Sequence, residues 1–194
     1  MKKVIAFLLF GLLFTINYSG FSQSRAKFGL KAGLNYSTIT NTNLEYKPGF
    51  YAGALLDISF SDFYAMQPEL TYSGQGASSK IGGDINIHYI SVALANKFFI
   101  ANKTGFHLIA GMGVDIDFED NFRNLANNGF ESNNNIFFMD ISFFLGMGYE
   151  LNNGLTFEGR YKHGSIGVFS DEFFEENNNR YNSLFQFGVS YKFD

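Results

Sequence analysis

The sharpest chemical arrangement in this 194-residue chain is His163-Gly164-Ser165, followed by Glu172, Glu175 and Glu176. A serine nucleophile needs a base to take its proton and a third group to orient that base. The residue types are right, but the spacing is poor: residues two apart on a strand face the same way and stand about 6–7 Å apart. The plainer reading is a loop-edge histidine beside a solvated acidic loop, and no catalytic residue is assigned. Asp115, Asp117 and Glu119 alternate along one face and offer oxygen ligands that suit a cation such as Ca²⁺. Strand-spaced carboxylates do not curl around one ion unaided, so they read as an acidic rim and no metal is assigned. Gly74-Gln75-Gly76 with Lys80 has the glycines of a phosphate loop but lacks the helix start that such a loop requires. His88, His107 and His163 lie on different predicted strands and show no metal-ligand spacing. No cofactor is expected.

The elements that must position these residues alternate with period two, the mark of strands with one apolar face. Phe28, Leu30, Ala32, Leu34 and Tyr36 oppose Gly29, Lys31, Gly33 and Asn35 in the first segment, residues 27–36. The same alternation runs through residues 50–60, 63–73, 88–99, 106–118, 137–149, 155–162 and 185–193, giving eight strands. Three connections are short: Ser61-Asp62, residues 101–104, and the hairpin sequence Asn152-Asn153-Gly154. Four are long and polar, at roughly residues 37–48, 74–86, 119–135 and 164–181, and long and short alternate strictly along the chain. Nothing in this order divides the chain into two domains.

Composition narrows the class. The chain is 46% hydrophobic, 19% aromatic and only 16% charged, against about 25% charged in an average soluble domain. With no Cys, disulfide scaffolds, thiolate metal sites and cysteine catalysis fall away. Residues 1–22 read as a secretory signal: Lys2 and Lys3, an apolar run from Val4 to Ile16, then Gly20-Phe21-Ser22 before Gln23. The run of 13 residues rises about 20 Å as a helix, too little for a hydrocarbon core of about 30 Å. Cleavage leaves the domain 23–194, in which the 14 basic residues less Lys2 and Lys3 make 12 against 18 acidic, a net −6. That balance argues against a nucleic-acid partner.

Alternation alone does not say whether the apolar face points into a soluble barrel around an apolar ligand or outward to lipid. The opposite face decides it. That face carries Lys31, Asp57, Glu69, Lys97, Asp115, Asp140, Glu158, Arg160, Lys162 and Lys192, spaced by Gly and Ser. Glycine weakens a water-facing strand but makes room for long charged side chains inside a narrow barrel. Aromatic residues gather near strand ends on the apolar face, as interfacial girdles do, and one end has short turns while the other has long loops. The expected fold is therefore an all-β, eight-stranded antiparallel up-and-down barrel that crosses a membrane, with its interior filled by side chains. Buried charges must be paired, and these ten are five acids and five bases. A packed lumen network of Lys31, Glu69, Lys97, Asp115, Asp140, Glu158, Arg160 and Lys192 is expected.

Several segments resemble the PorT-like outer-membrane barrels of Bacteroidota. Phe28-Gly29-Leu30-Lys31-Ala32-Gly33-Leu34-Asn35 is similar to their first strand. Lys47-Pro48-Gly49-Phe50-Tyr51-Ala52-Gly53 and Gln67-Pro68-Glu69-Leu70-Thr71-Tyr72-Ser73 are similar to the second and third. Tyr89-Ile90-Ser91-Val92 stands where the fourth begins, with Ser91 and Ala93 in place of the usual Glu and Pro, and Gly159-Arg160-Tyr161-Lys162-His163-Gly164 resembles the seventh. The last strand resembles the C-terminal assembly signal of outer-membrane proteins, with Asp194 after Phe193. The resemblance implies a barrel in the cell outer membrane, largely of unassigned function, with one member linked to protein secretion. His163 and Ser165 also resemble the His-x-Ser pair of outer-membrane lipid A deacylases, although Ile166 stands where those enzymes have Asn. The expectation is a noncatalytic, monomeric barrel in contact with outer-membrane lipid, whose long external loops meet any cell-envelope partner. A lipid A deacylase-like esterase is the alternative.

Overall fold

A computed structural model describes residues 25–79, 84–100, 105–117, 139–166 and 180–193. The secretory segment, the short connection 101–104, Glu119, and the acidic run Glu172, Glu175 and Glu176 lie outside the described residues. Eight strands follow one another: β1 Arg25–Ile39, β2 Glu45–Ser61, β3 Tyr64–Ser78, β4 Ile85–Phe99, β5 Phe106–Asp117, β6 Met139–Glu150, β7 Leu155–Gly164 and β8 Asn182–Lys192. Each pairs antiparallel with its sequence neighbour, and β8 pairs with β1, so the sheet closes. Closure removes the open edges that hydrocarbon cannot solvate. Among the described residues no helix is long and apolar enough to cross a membrane.

The short turns lie at the end where β1 starts and β8 finishes. The β6–β7 turn needs Gly154, which sits at φ 84°, in the left-handed region that side chains with a Cβ rarely adopt. Its amide bonds Leu151 O at 3.1 Å, and Asn153 Oδ1 accepts from the Leu155 amide at 3.1 Å.

Two of the connections expected to be long are short. The β1–β2 link is residues 40–44 rather than 37–48, and the β3–β4 link is residues 79–84 rather than 74–86. The polar residues that looked like loop are strand residues bonded within the barrel. Ser37 Oγ donates to Gly76 O at 2.9 Å, and Asn35 Nδ2 donates to Gly74 O at 2.8 Å. The wall from β1 to β4 therefore extends well past the bilayer thickness, since about 9–11 tilted residues suffice to cross it.

Strand parity sorts the side chains cleanly. Leu34, Leu70, Met112 and Leu145 point outward and are exposed, Leu145 by 68%. Above and below this aliphatic middle run two aromatic girdles. Phe28, Phe60, Phe63, Phe98, Phe157 and Phe193 ring the short-turn end, with Phe28 stacked on Phe193 at 6.0 Å. Tyr36, Tyr46, Phe50, Tyr161 and Phe185 ring the other, with Tyr36 stacked on Tyr46 at 4.8 Å. From Phe28 to Tyr36 the strand rises about 26 Å, or about 20 Å once tilted, close to the apolar band of an outer-membrane barrel. The interior holds its own apolar packing. Ile39, Ala77, Ile87 and Tyr89 cluster toward the long-loop end, with Leu44 and Ile85 against them, and Ala95, Ile109 and Phe144 form a deeper cluster.

The β2–β3 seam is the least regular. Its register shifts between Tyr46 and Tyr51 and again between Ser59 and Ser61, and the pairing skips Leu56 and Asp57 opposite Gln67 and Pro68. Proline has no N–H to give the ladder, and in hydrocarbon no water replaces it. Pro68→Val, which restores that donor, is expected to raise stability by about 1 kcal/mol. Urea unfolding of the lipid-reconstituted protein checks this, and an unchanged midpoint would mean the seam is already satisfied.

Candidate functional site

Three layers of paired charge fill the lumen. Toward the short-turn end, Lys97 lies 3.0 Å from Asp57 and 3.4 Å from Glu150, while Lys192 lies 3.5 Å from Asp57 and 2.5 Å from Glu150. In the middle, Arg160 grips Glu69 through both terminal nitrogens at 2.9 and 2.6 Å and reaches Glu158 at 2.8 Å. Lys31 completes that layer, 2.9 Å from Glu69 and 2.8 Å from Glu158. Higher still, Lys162 bonds Asp115 at 2.7 Å and Ser91 at 3.2 Å, and Ser91 donates to the same carboxylate. The lower two layers balance acid with base, the condition for keeping ionised groups away from water, whereas the upper one also holds the buried Asp140, opposite Asp115, and the buried Asp117.

The layers are joined and walled. Gln67 accepts from Lys97 at 3.2 Å and donates to Glu69 at 2.7 Å, which links the lower layer to the middle one. The Arg160 guanidinium lies 5.0 Å from the Phe144 ring centre, and Lys31 lies 5.6 Å from that of Tyr51, distances at which a ring face attracts a cation. Around the upper part runs a neutral amide and hydroxyl network: Gln186 to Asn35 at 2.9 Å, Asn35 to Ser73 at 2.9 Å, Gln75 to Ser73 at 2.9 Å, and Asn182 to Gln75. A cavity of about 10 Å³ remains among Lys31, Tyr51, Glu69, Phe144, Arg160 and Lys162, about the room one water needs.

Of the eight lumen residues expected from sequence, Lys31, Glu69, Glu158 and Arg160 meet directly, Lys97 and Lys192 share their acids, and Asp115 pairs with Lys162. Asp140 stands apart. It faces the lumen, but no ion pair reaches it among the described residues; it accepts instead from the amides of Ser165 and Ile166 at 3.1 and 2.9 Å. Glu150 was missed, although it shares parity with Asp140 and Ser142, because it ends its strand. Tyr51 and Leu55 were missed as lumen residues, although both share parity with Asp57; their apolar character hid them.

The other chemical candidates are dispersed. Among the described residues no group of His, Asp and Glu is arranged to hold a metal ion. Gly74, Gln75 and Gly76 are paired strand residues opposite His88, Ile87 and Asn86. His107 faces inward with Nδ1 2.9 Å from Gly105 O, and His88 lies outside with Nδ1 2.5 Å from the Tyr72 hydroxyl. Ser165 gives its hydroxyl to Ile141 O at 2.6 Å, so that proton is committed to the backbone and not to His163.

The family model described as "Outer membrane protein beta-barrel domain" matches residues 21–170. The chain belongs to this outer-membrane barrel family. Among solved structures, Neisserial surface protein A is similar with a TM-score of 0.53 at 13% identity, covering 87% of this chain and 99% of that one. The outer membrane protein Ail of Yersinia pestis, in a phospholipid nanodisc, is similar with a TM-score of 0.50 at 14% identity, covering 87% and 100%. At such identities the likeness is one of fold. No curated protein matches the chain significantly. Barrel and family together make this an outer-membrane protein whose aliphatic band contacts lipid.

Proposed function

We propose that this outer-membrane barrel conducts no solute, performs no catalysis of its own, and serves as a rigid monomeric platform of the PorT-like type for a cell-envelope partner. In this reading residues 1–22 export the chain, the short turns face the periplasm, and the longer connections face outward and carry recognition. The observation that supports it best is the packed lumen: ion-paired layers lie below the Ile39–Ala77–Ile87–Tyr89 cluster, and the cavity among Lys31, Tyr51, Glu69, Phe144, Arg160 and Lys162 has room for about one water. The commitment of the Ser165 hydroxyl to Ile141 O weighs against an esterase. The PorT-like assignment rests on the strand motifs at residues 28–35, 47–53, 67–73 and 159–164.

The test is conductance in planar lipid bilayers. Purified protein is expected to insert without stepwise current at high salt, whereas steady unitary steps would show a continuous aqueous path and overturn the platform reading. Crosslinking in intact cells through the β7–β8 connection, followed by partner identification, then asks what the platform holds.

A further inference from the structure

The two girdles differ in chemistry. The one at the short turns is rich in phenylalanine, while the one at the long connections carries Tyr36, Tyr46, Tyr72, His88, Tyr161, His163 and Tyr181. Within it, His163 points outward from β7, opposite Phe143 on β6 and Ser183 on β8. Its ring lies between two tyrosines, parallel to Tyr161 at 6.3 Å and tilted against Tyr181 at 5.6 Å. Three nearby hydroxyls are taken: Tyr161 pairs with Ser183 at 2.8 Å, and Ser165 bonds Ile141 O. Nδ1 is enclosed by the protein and has no partner. Among the described residues no hydrogen bond reaches Nε2 either, and it is not enclosed.

We infer that His163 Nε2 donates to the phosphate of an outer-leaflet lipid headgroup, with Tyr161 and Tyr181 holding the imidazole at headgroup depth. Two nitrogens of a neutral imidazole divide one proton between them. Leaving the enclosed Nδ1 as the bare acceptor places the proton on Nε2, which faces the membrane. At headgroup depth the donor meets water and anionic headgroup oxygens, and an anionic oxygen makes the stronger bond. The inference rests on the long connections facing outward, which puts His163 in the leaflet that carries phosphorylated glycolipid.

The full chain, labelled at histidine and inserted in phosphatidylcholine nanodiscs containing bis-phosphorylated lipid A, tests this by NMR. The imidazole resonance of His163 is expected to shift on adding lipid A, to stay unmoved with dephosphorylated lipid A, and to leave the lumen residue His107 untouched. His163→Phe, which keeps the girdle aromatic, is expected to bind phosphorylated lipid A about tenfold more weakly, the worth of one charge-assisted bond. Equal shifts with both lipids would assign the contact to something other than phosphate and overturn the inference, as would no shift in an inserted barrel. Heat-modifiable gel migration reports insertion separately: a chain that does not insert sinks the barrel reading, and an inserted chain with a silent His163 sinks this inference alone.

Discussion

Arg160→Ala is expected to cost the folded barrel about 3–5 kcal/mol, the range for removing one partner of a buried ion pair. The guanidinium is 3% exposed and holds Glu69 at 2.6 and 2.9 Å and Glu158 at 2.8 Å. Without it two carboxylates share Lys31 alone, in a layer with little space for water. The loss comes mainly from the uncompensated charge, so replacing the unit should cost less than breaking it. Arg160→Met combined with Glu69→Gln leaves Lys31 with Glu158 and is expected to recover more than half of the lost stability. Urea titration of the reconstituted protein, followed by heat-modifiable migration, measures both. A cost below about 1 kcal/mol for Arg160→Ala would place the pair in the class of water-exposed bridges and show that the layer is open to solvent.

Gly53→Val is expected to stop the barrel from closing, at a cost of about 3 kcal/mol or more, although valine is the better strand residue on propensity alone. Gly53 faces the lumen between Lys31 on β1 and Thr71 on β3. A Cβ there would meet Leu70 O at 2.1 Å and Thr71 Cα at 2.6 Å, both backbone atoms that no rotamer change can move. Gly159 provides the control. It lies on the outward face, where a Cβ would meet only the Phe187 ring at 3.4 and 3.5 Å, an ordinary contact, so Gly159→Ala should fold in comparable yield. Folding yield into lipid vesicles, read from the fraction of heat-modifiable protein, compares the two. Equal yields would refute the packing argument for Gly53.

Much of this wall was legible in the chain because a strand's side-chain period is two and one face meets lipid. Phe28 to Tyr36 and Met139 to Tyr149 announce their outward faces at every second residue. The same parity carries Lys31, Glu69, Glu158 and Arg160 inward before any contact is known. The ends were harder to read. Ser37, Gln75 and Gly76 lie in a stretch that reads as loop, yet all are strand residues, because the lumen supplies the partners that water would give a loop. Tyr51, Leu55 and Phe144 were also hidden. Their hydrophobicity suggests lipid, but their parity places them inside, Tyr51 beside Lys31 and Phe144 beside Arg160.

The sequence by itself determined the number of strands, the outward and inward faces, and a stock of lumen charge of both signs. Those properties depend on local period and composition, which a chain carries whether or not it is folded. Only the tertiary structure decided which charges meet. Arg160 and Glu69 are 91 positions apart, and Lys97 and Asp57 are 40 apart. Their pairing depends on the stagger of eight strands around a closed barrel, which no segment encodes alone. The same closure set Asp140 against backbone amides rather than a cation, and it left the His163 imidazole between two tyrosines with one nitrogen enclosed and the other turned toward the membrane.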